Sequence, residues 1–433
     1  MKKLACGLLA AMLLAGTAAA LEPISRPIAA SGYTYYAIQA DGTLLAWGDS
    51  FHGAVGPTDQ DPLPWEEANV LLENARYVDA GFVMAAAIDG DGVLWGWGGH
   101  AGRTFGEAEP YRLLEDVVSV SVGETACTAL RADGTVWTWG ARFGESLEAH
   151  QDDPFYPPTQ VLDHTVQLLG DLAVKEDGTL VRVWFDGDTC TTAPLMEHVA
   201  AVGSLYCGIQ DSAMLVQGLD GSLWRVPWEN NLSDTVRWQS LGKPEKLLED
   251  VVQFTGSTAV TAGGTLWAWG RDRPAMLRDG RADPADPYDP EDCGGIVRIT
   301  DGVACAVACS DRTLAVLADG SLWQLPSAGF LPEWEESPDR SPAAPEKLLD
   351  QVRMPSPAPA FAADAPAPAV VEPASLETGE AQQAAAEPDA DAAPAQDEPS
   401  AESTQERGLP ELGVLAAAFA ALVLAAWIRG RKR

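Results

Sequence analysis

Side chains able to do chemistry are sparse in this chain, and their spacing suits none of the common reactions. The five histidines, His52, His100, His150, His164 and His198, include no pair at metal-ligand spacing. There is no Gly-x-Ser-x-Gly nucleophile elbow, no His-Glu-x-x-His, and no glycine-rich phosphate loop ahead of a helix. Asp283, Asp286, Asp289, Glu291 and Asp292 form an acidic run, but Pro284, Pro287 and Pro290 interrupt it. The ligand spacing of a calcium loop is missing, so these carboxylates read as a solvated insertion. Beyond Cys6 stand Cys127, Cys190, Cys207, Cys293, Cys305 and Cys309. Outside a reducing compartment they permit disulfides, and Cys190 with Cys207 is a candidate pair because the two flank one connection between repeats. Cys127 reads as a small core residue, whereas Cys305 and Cys309 lie too far apart on one straight strand to bridge. No catalytic residue, cofactor or metal follows from these residues.

Aromatic residues are the better candidates. Trp65, Trp228, Trp238 and Trp334 fall in the long stretches 57–69, 227–245 and 326–345, and a further long stretch covers 271–294. A tryptophan on an acidic loop suits contact with a protein, peptide or glycan. The competing reading is that each tucks beneath its own loop. Insertions in repeat proteins gather on one face, which makes these four the candidate partner contacts.

The elements that must position them are visible as a repeat. Asp133-Gly134-Thr135-Val136-Trp137-Thr138-Trp139-Gly140 has relatives beginning at Asp41, Asp91, Asp177, Asp220, Gly263 and Asp319, stepping by 50, 42, 44, 43, 43 and 56 residues. That period is the size of one four-stranded propeller blade. Asp-Gly supplies the positive φ of a tight hairpin turn. The strand that follows is apolar on both faces: Leu44, Leu94, Val136, Leu180, Leu223, Leu266 and Leu322 alternate with Leu45, Trp95, Trp137, Val181, Trp224, Trp267 and Trp323. Such a strand must be covered on both sides, as a blade is by its neighbours. Nine of the 15 tryptophans stand in these strands, so they belong to the packing between blades.

A second motif precedes each Asp-Gly copy from the second onward, as in Leu71-Leu72-Glu73-Asn74, Leu113-Leu114-Glu115-Asp116 and Leu247-Leu248-Glu249-Asp250. The last example, around Leu348, has no Asp-Gly after it, and the first Asp-Gly has no such motif before it. The pattern predicts that the strand near Leu348 pairs into the blade begun by Ile28 to Gly48, closing the ring with both ends of the chain. The order Leu-Leu-x-x-Val, Gly, apolar strand, Asp-Gly-Thr-Val, x-x-Trp-Gly, then Gly-x-x-Gly resembles the regulator of chromosome condensation repeat. Trp47-Gly48 with Gly53 and Gly56, and Trp97-Gly98 with Gly102 and Gly106, carry the match over residues 28–352. The resemblance implies a seven-bladed β-propeller. Copies four, five and seven lack the Trp-Gly.

Charge argues against the nuclear role that this resemblance implies, namely nucleotide exchange and nucleosome binding. The chain carries −35, and residues 4–354 alone carry −30. Such a ring repels phosphate, so nucleic acid is not an expected partner. Residues 1–20 read as a secretory signal, with Lys2-Lys3, an apolar run, and an Ala-x-Ala site that places cleavage between Ala20 and Leu21. Residues 355–408 hold 11 acidic residues against Arg407 among Pro, Ala, Gln and Ser, the composition of a disordered tether. Residues 409–433 read as a C-terminal transmembrane anchor with a basic tail, Arg429 to Arg433. Leu409, Pro410, Glu411, Leu412 and Gly413 also resemble a sortase sorting signal, with Leu412 where threonine is required.

The resulting expectation is an all-β, seven-bladed propeller over residues 21–354, secreted and held at a bacterial cell surface by its C-terminal helix. It is expected to act as a non-catalytic binding or adhesion module for a protein or glycan. A second expectation is an inhibitor or regulator of a secreted enzyme, since the repeat family includes a secreted bacterial inhibitor of β-lactamases.

Overall fold

The computed structural model describes residues 20–81, 84–99, 107–123, 126–140, 156–186, 189–207, 212–229, 240–270, 273–274, 295–309, 311–327, 344–357 and 360–371. They form seven antiparallel sheets. Blade one contains Ile28–Ser31, Thr34–Ile38, Leu44–Gly48 and Asn69–Leu72. Blade two contains Ala75–Ala80, Met84–Asp89, Leu94–Gly98 and Glu107–Leu114. Blade three contains Val117–Val122, Ala126–Arg131, Val136–Gly140 and Tyr156–Leu162. Blade four contains Thr165–Leu169, Leu172–Lys175, Leu180–Asp186 and Thr189–Glu197. Blade five has Val199–Cys207, Ser212–Gly218 and Leu223–Glu229, with Ser240–Leu241 and Glu245–Leu248 sharing its outer edge. Blade six has Val251–Phe254, Thr258–Thr261, Leu266–Ala268 and Val297–Thr300, and blade seven Val303–Ala308, Arg312–Leu317, Leu322–Pro326 and Glu346–Leu349.

Apolar burial closes these sheets into a ring. Seven hydrophobic clusters each span two neighbouring blades, and the series ends with Cys305, Val307, Leu314 and Val316 of blade seven against Ile28, Tyr35, Ala37 and Trp47 of blade one. Leu44, Leu94, Leu180, Leu223, Leu266 and Leu322 are fully buried, as the repeat requires. Their neighbours differ from expectation. Trp95, Trp137, Trp224, Trp267 and Trp323 are only half-buried. Four of these indoles have a polar partner: Trp95 Nε1 donates to Asp89 Oδ2 at 2.9 Å, and three Asp-Gly-Ser/Thr turns build a relay onto theirs. Trp137 Nε1 donates to Thr135 Oγ1 at 3.1 Å, and Thr135 Oγ1 donates to Asp133 Oδ1 at 2.6 Å. Trp323, Ser321 and Asp319 repeat this, and so do Trp224, Ser222 and Asp220.

The ring closure corrects the expectation. The strand at Leu348 pairs inside blade seven, Leu322 opposite Leu349, so every Leu-Leu motif is the outer strand of the blade before it. Closure comes from the next three residues. Val352 bridges Gln39, Gln351 O accepts from Ala40 N at 3.2 Å, and Arg353 N donates to Ile38 O at 2.9 Å. In blade two the same places belong to Asn74 and Ala75, which meet Gly90 and Asp89. The first strand of blade one is therefore assembled from Gln351–Arg353 and Ile28–Ser31, one piece from each end.

The first part of the expected tether lies against the ring. Residues 353–357 and 360–371 are ordered against the ring: Ser25 and Ser356 hydrogen-bond reciprocally, and Ala369–Val370 adds a fifth strand to blade four. An apolar pair at Val370-Val371 and the half-buried Phe361 supply the burial that the surrounding Pro/Ala composition conceals. Residues 372–433, with the anchor and the sorting-like motif Leu409–Gly413, lie outside the described residues. Among the described residues no helix is long and apolar enough to cross a membrane.

First strands of adjacent blades do not pair, and long polar side chains join them instead. Gln167 bonds both the N–H and the C=O of Val202 at 3.0 Å, and Gln253 does the same to Ala306 at 3.1 and 3.0 Å. Replacing Gln253 with Ala strands two backbone groups. Urea unfolding should show a loss of about 1–3 kcal/mol, with the slope unchanged.

The turn carboxylates make stability depend on pH. Hydroxyl bonds from Thr135 and Ser321 hold Asp133 and Asp319 below the ordinary carboxylate range, and the backbone N–H groups of Thr43 and Thr179 do so for Asp41 and Asp177. Burial opposes this at Asp220, but the Ser222 hydroxyl and N–H outweigh it. With folded pKa values depressed, the unfolded chain takes up protons first as pH falls, so the stabilisation is present above about pH 4 and is lost below it. Urea midpoints should fall between pH 7 and pH 3, and the combined Thr135→Val, Ser321→Ala change should flatten that fall.

Candidate functional site

Antiparallel order puts two kinds of connection at opposite ends of every sheet. At one end are the Asp-Gly turns and the links from one blade to the next. Each turn glycine adopts a left-handed φ, from 74° at Gly264 to 94° at Gly42. This aims its carbonyl at the next blade, where Ala75, Val117, Thr165, Val199, Val251 and Val303 donate their N–H at 2.8–3.1 Å. Those links themselves turn through left-handed residues, Asn74, Asp116, His164, His198, Asp250 and Gly302. His164 and His198 are therefore placed by backbone conformation, which their sequence positions did not reveal.

This Asp-Gly end is overlain by the chain's own termini. Leu21 packs beside Leu130 and Leu168, and its N–H donates to Ala132 O at 2.8 Å. Arg26 crosses to blade two, where its guanidinium meets Asp79 Oδ1 at 2.8 Å. Ala20 precedes this segment and is exposed. From Arg353 the C-terminal segment runs over blade five to the edge of blade four.

The opposite end carries the short turns between first and second strands, together with all the long connections. Trp65 opens a 3-10 turn, Trp65–Glu67, and packs half-buried against the cluster shared by blades seven and one. Trp228 is the penultimate residue of the third strand of blade five, opposite Leu241. Trp238 and Trp334 lie outside the described residues, as do His100, His150, Cys293 and the acidic run 283–292. Among the described residues no group of three His, Cys, Asp or Glu is placed to hold a metal. The candidate pair Cys190 and Cys207 is not supported: Cys190 is a free thiol whose Sγ faces Val161 O at 3.7 Å. Cys305 and Cys309 are buried thiols.

Beneath Trp65 lies a polar unit that sequence reasoning missed. Tyr35 Oη donates to Asp311 Oδ1 at 2.5 Å, while Asp311 Oδ2 accepts from Arg312 Nη2 at 2.9 Å and Nε at 3.2 Å. The Arg312 guanidinium lies 4.4 Å from the centre of the Tyr35 ring, and its Nη1 reaches Gln324 Oε1 at 2.6 Å. Cys309 Sγ donates to Arg312 O at 3.1 Å. Burial, then the nearby Cys309 and Asp311, pushes the Tyr35 phenol well up from its usual value. Burial pulls Arg312 down, but Tyr35 and Asp311 together carry it net upward. Both carboxylate oxygens are engaged, and Asp311 is fully buried. The unit is a clasp between the first and last blades; it presents no open nucleophile or base.

The sequence matches no known family profile and no curated protein. Several solved structures are similar to this chain. Human WBSCR16 is 18% identical, aligned over 66% of this chain and 84% of its own, with a TM-score of 0.46. Prp20p from Saccharomyces cerevisiae, described with its binding to Gsp1p and histones, is 16% identical over 66% and 78%, with a TM-score of 0.47. Yeast RCC1 (Prp20) bound to Kap60 is 17% identical over 78% and 85%, with a TM-score of 0.47.

Truncating the clasp tests its part in closure. Asp311→Ala leaves the Arg312 charge buried with its main partner removed and should cost about 3–5 kcal/mol, whereas Tyr35→Phe should cost about 1–2 kcal/mol. Thermal unfolding of both variants checks the order.

Proposed function

We propose that this chain is a non-catalytic recognition module, a propeller secreted and tethered at a bacterial cell surface, which binds a protein or glycan through the end bearing the long connections. The observation that carries this is the asymmetry of the two ends. The Asp-Gly end is overlain by residues 21–26 and 353–371, while Trp65 and Trp228 stand towards the other, where the described strands next to the stretches holding Trp238 and Trp334 also end. Aromatic residues on long loops held by a rigid ring are a common basis for recognition.

Several features support the surface setting. The leader, the Ala20/Leu21 junction and the apolar segment 409–433 suit export and retention. Leu21 makes its bond to Ala132 O through the backbone nitrogen, and an ammonium created by cleavage after Ala20 would make the same bond. The net charge of −35 disfavours nucleic acid.

The test is capture by the immobilised full chain from host matrix proteins, mucin glycans and bacterial envelope extract. Saturable binding of one partner, weakened about 30-fold by the combined Trp228→Ala, Trp238→Ala and Trp334→Ala change, is the expected result. Trp65→Ala is measured beside it with a thermal midpoint, because Trp65 also packs against the ring. Capture of a secreted enzyme whose activity then falls replaces this reading with the inhibitor. Absence of saturable binding from every source overturns it.

A further inference from the structure

Residues 353–371 leave the repeat and lie back upon it in a specific way. Phe361 is half-buried over the turn of blade five, where a Cβ on Gly221 would stand 2.6 Å from Phe361 Cδ2. Ala362 N donates to Leu219 O at 2.9 Å on the same turn. Pro368 is buried, with its Cδ 3.2 Å from where a Cβ of Gly218 would be. Ala369 and Val370 pair with Glu197 and Met196, Val371 N donates to Leu195 O at 2.9 Å, and Val370 packs on the apolar cluster between blades four and five. Blades four and five thus offer an extended segment three features together: a bare glycine cradle for an aromatic ring, a wall for proline, and a strand edge.

We propose that this surface is a peptide-recognition site for an extended, largely uncharged segment of the pattern Phe-x6-Pro-x-Val, which residues 361–371 occupy in cis and release reversibly. This surface is separate from the loop end and does not depend on its role. Reversibility follows from the energetics. Only three partly buried side chains and a few backbone hydrogen bonds hold the segment against the conformational entropy of ordering it. It therefore opens far more readily than the blades. It stays covalently joined to the ring when it lifts, so its high local concentration excludes weak competitors. A partner protein carrying the same pattern displaces it only by binding more tightly.

The probe is a fluorescent peptide with the sequence of residues 355–374, titrated into the full chain and into the full chain carrying Phe361→Asp and Val370→Asp. The expected result is binding at least about tenfold tighter to the variant, lost by about tenfold when the peptide carries F361A. Equal binding to both chains, or indifference to F361A, overturns the proposal. Hydrogen exchange on the unaltered chain tests release without any substitution. The amides of Ala362 and Val371 should exchange at least about 100-fold faster than those of Ala75 and Val117 at the blade junctions, and equal protection overturns reversibility. A concentration-dependent dimer that the double variant abolishes would assign the surface to exchange between two copies and overturn the partner reading.

Discussion

One hydrogen bond, made seven times, holds this architecture together: the carbonyl of each turn glycine accepts the first N–H of whatever follows the blade. The left-handed φ at the turn sets the direction of that carbonyl, and this makes glycine necessary. Space is a lesser reason. A Cβ at Gly42 would meet Asn74 Cα at 2.9 Å, but at Gly92 the nearest atom is 3.7 Å away. Conformation, shared by all seven positions, explains why Gly survives even in copy six, where Gly263 replaces the aspartate. There Thr265 turns its hydroxyl to Asp301 of the next link, so the carboxylate is recovered from a different part of the chain.

Around that fixed junction the blades are joined unevenly. Tyr77, Gln167 and Gln253 stand at matching places on the first strands of blades two, four and six, and each reaches a main-chain group of the following blade. The matching residues of blades three, five and seven are Ser119, Ala201 and Cys305, too short for that reach. The seam between blades seven and one depends on Tyr35, Asp311 and Arg312 at the loop end and on Val352 at the other.

Much of the fold is legible because the repeat is periodic and its physics local. Asp-Gly announces a turn, and Leu44 or Leu266 announces a buried strand. Gly53 and Gly56 mark a close approach, since Cβ atoms there would stand 2.8 Å from Ala108 Cβ and 2.4 Å from Leu71 Cδ2. What escaped depends on partners distant in sequence. The Leu-Leu motif reads equally well as the end of one blade or the start of another, and only pairing decides. Asp311 and Arg312 look like an exposed turn until Tyr35, 276 residues away, covers them. Phe361, Val370 and Val371 are too few to disturb the composition of a tether, yet they suffice to dock one. The candidate tryptophans depart from the repeat, and of these Trp65 packs against the cluster shared by blades seven and one.

The divided first strand of blade one also sets an order of events during synthesis. Ile28–Ser31 emerges early and pairs at once with Thr34–Ile38, but the beginning of that strand, Gln351–Arg353, is among the last parts of the ring to leave the ribosome. Until then blade one lacks blade seven as its second neighbour, and Tyr35 and Trp47 lack the apolar side chains that later cover them. The nascent chain is thus an open, sticky arc for most of its translation, and its final turn of growth converts it into a closed ring.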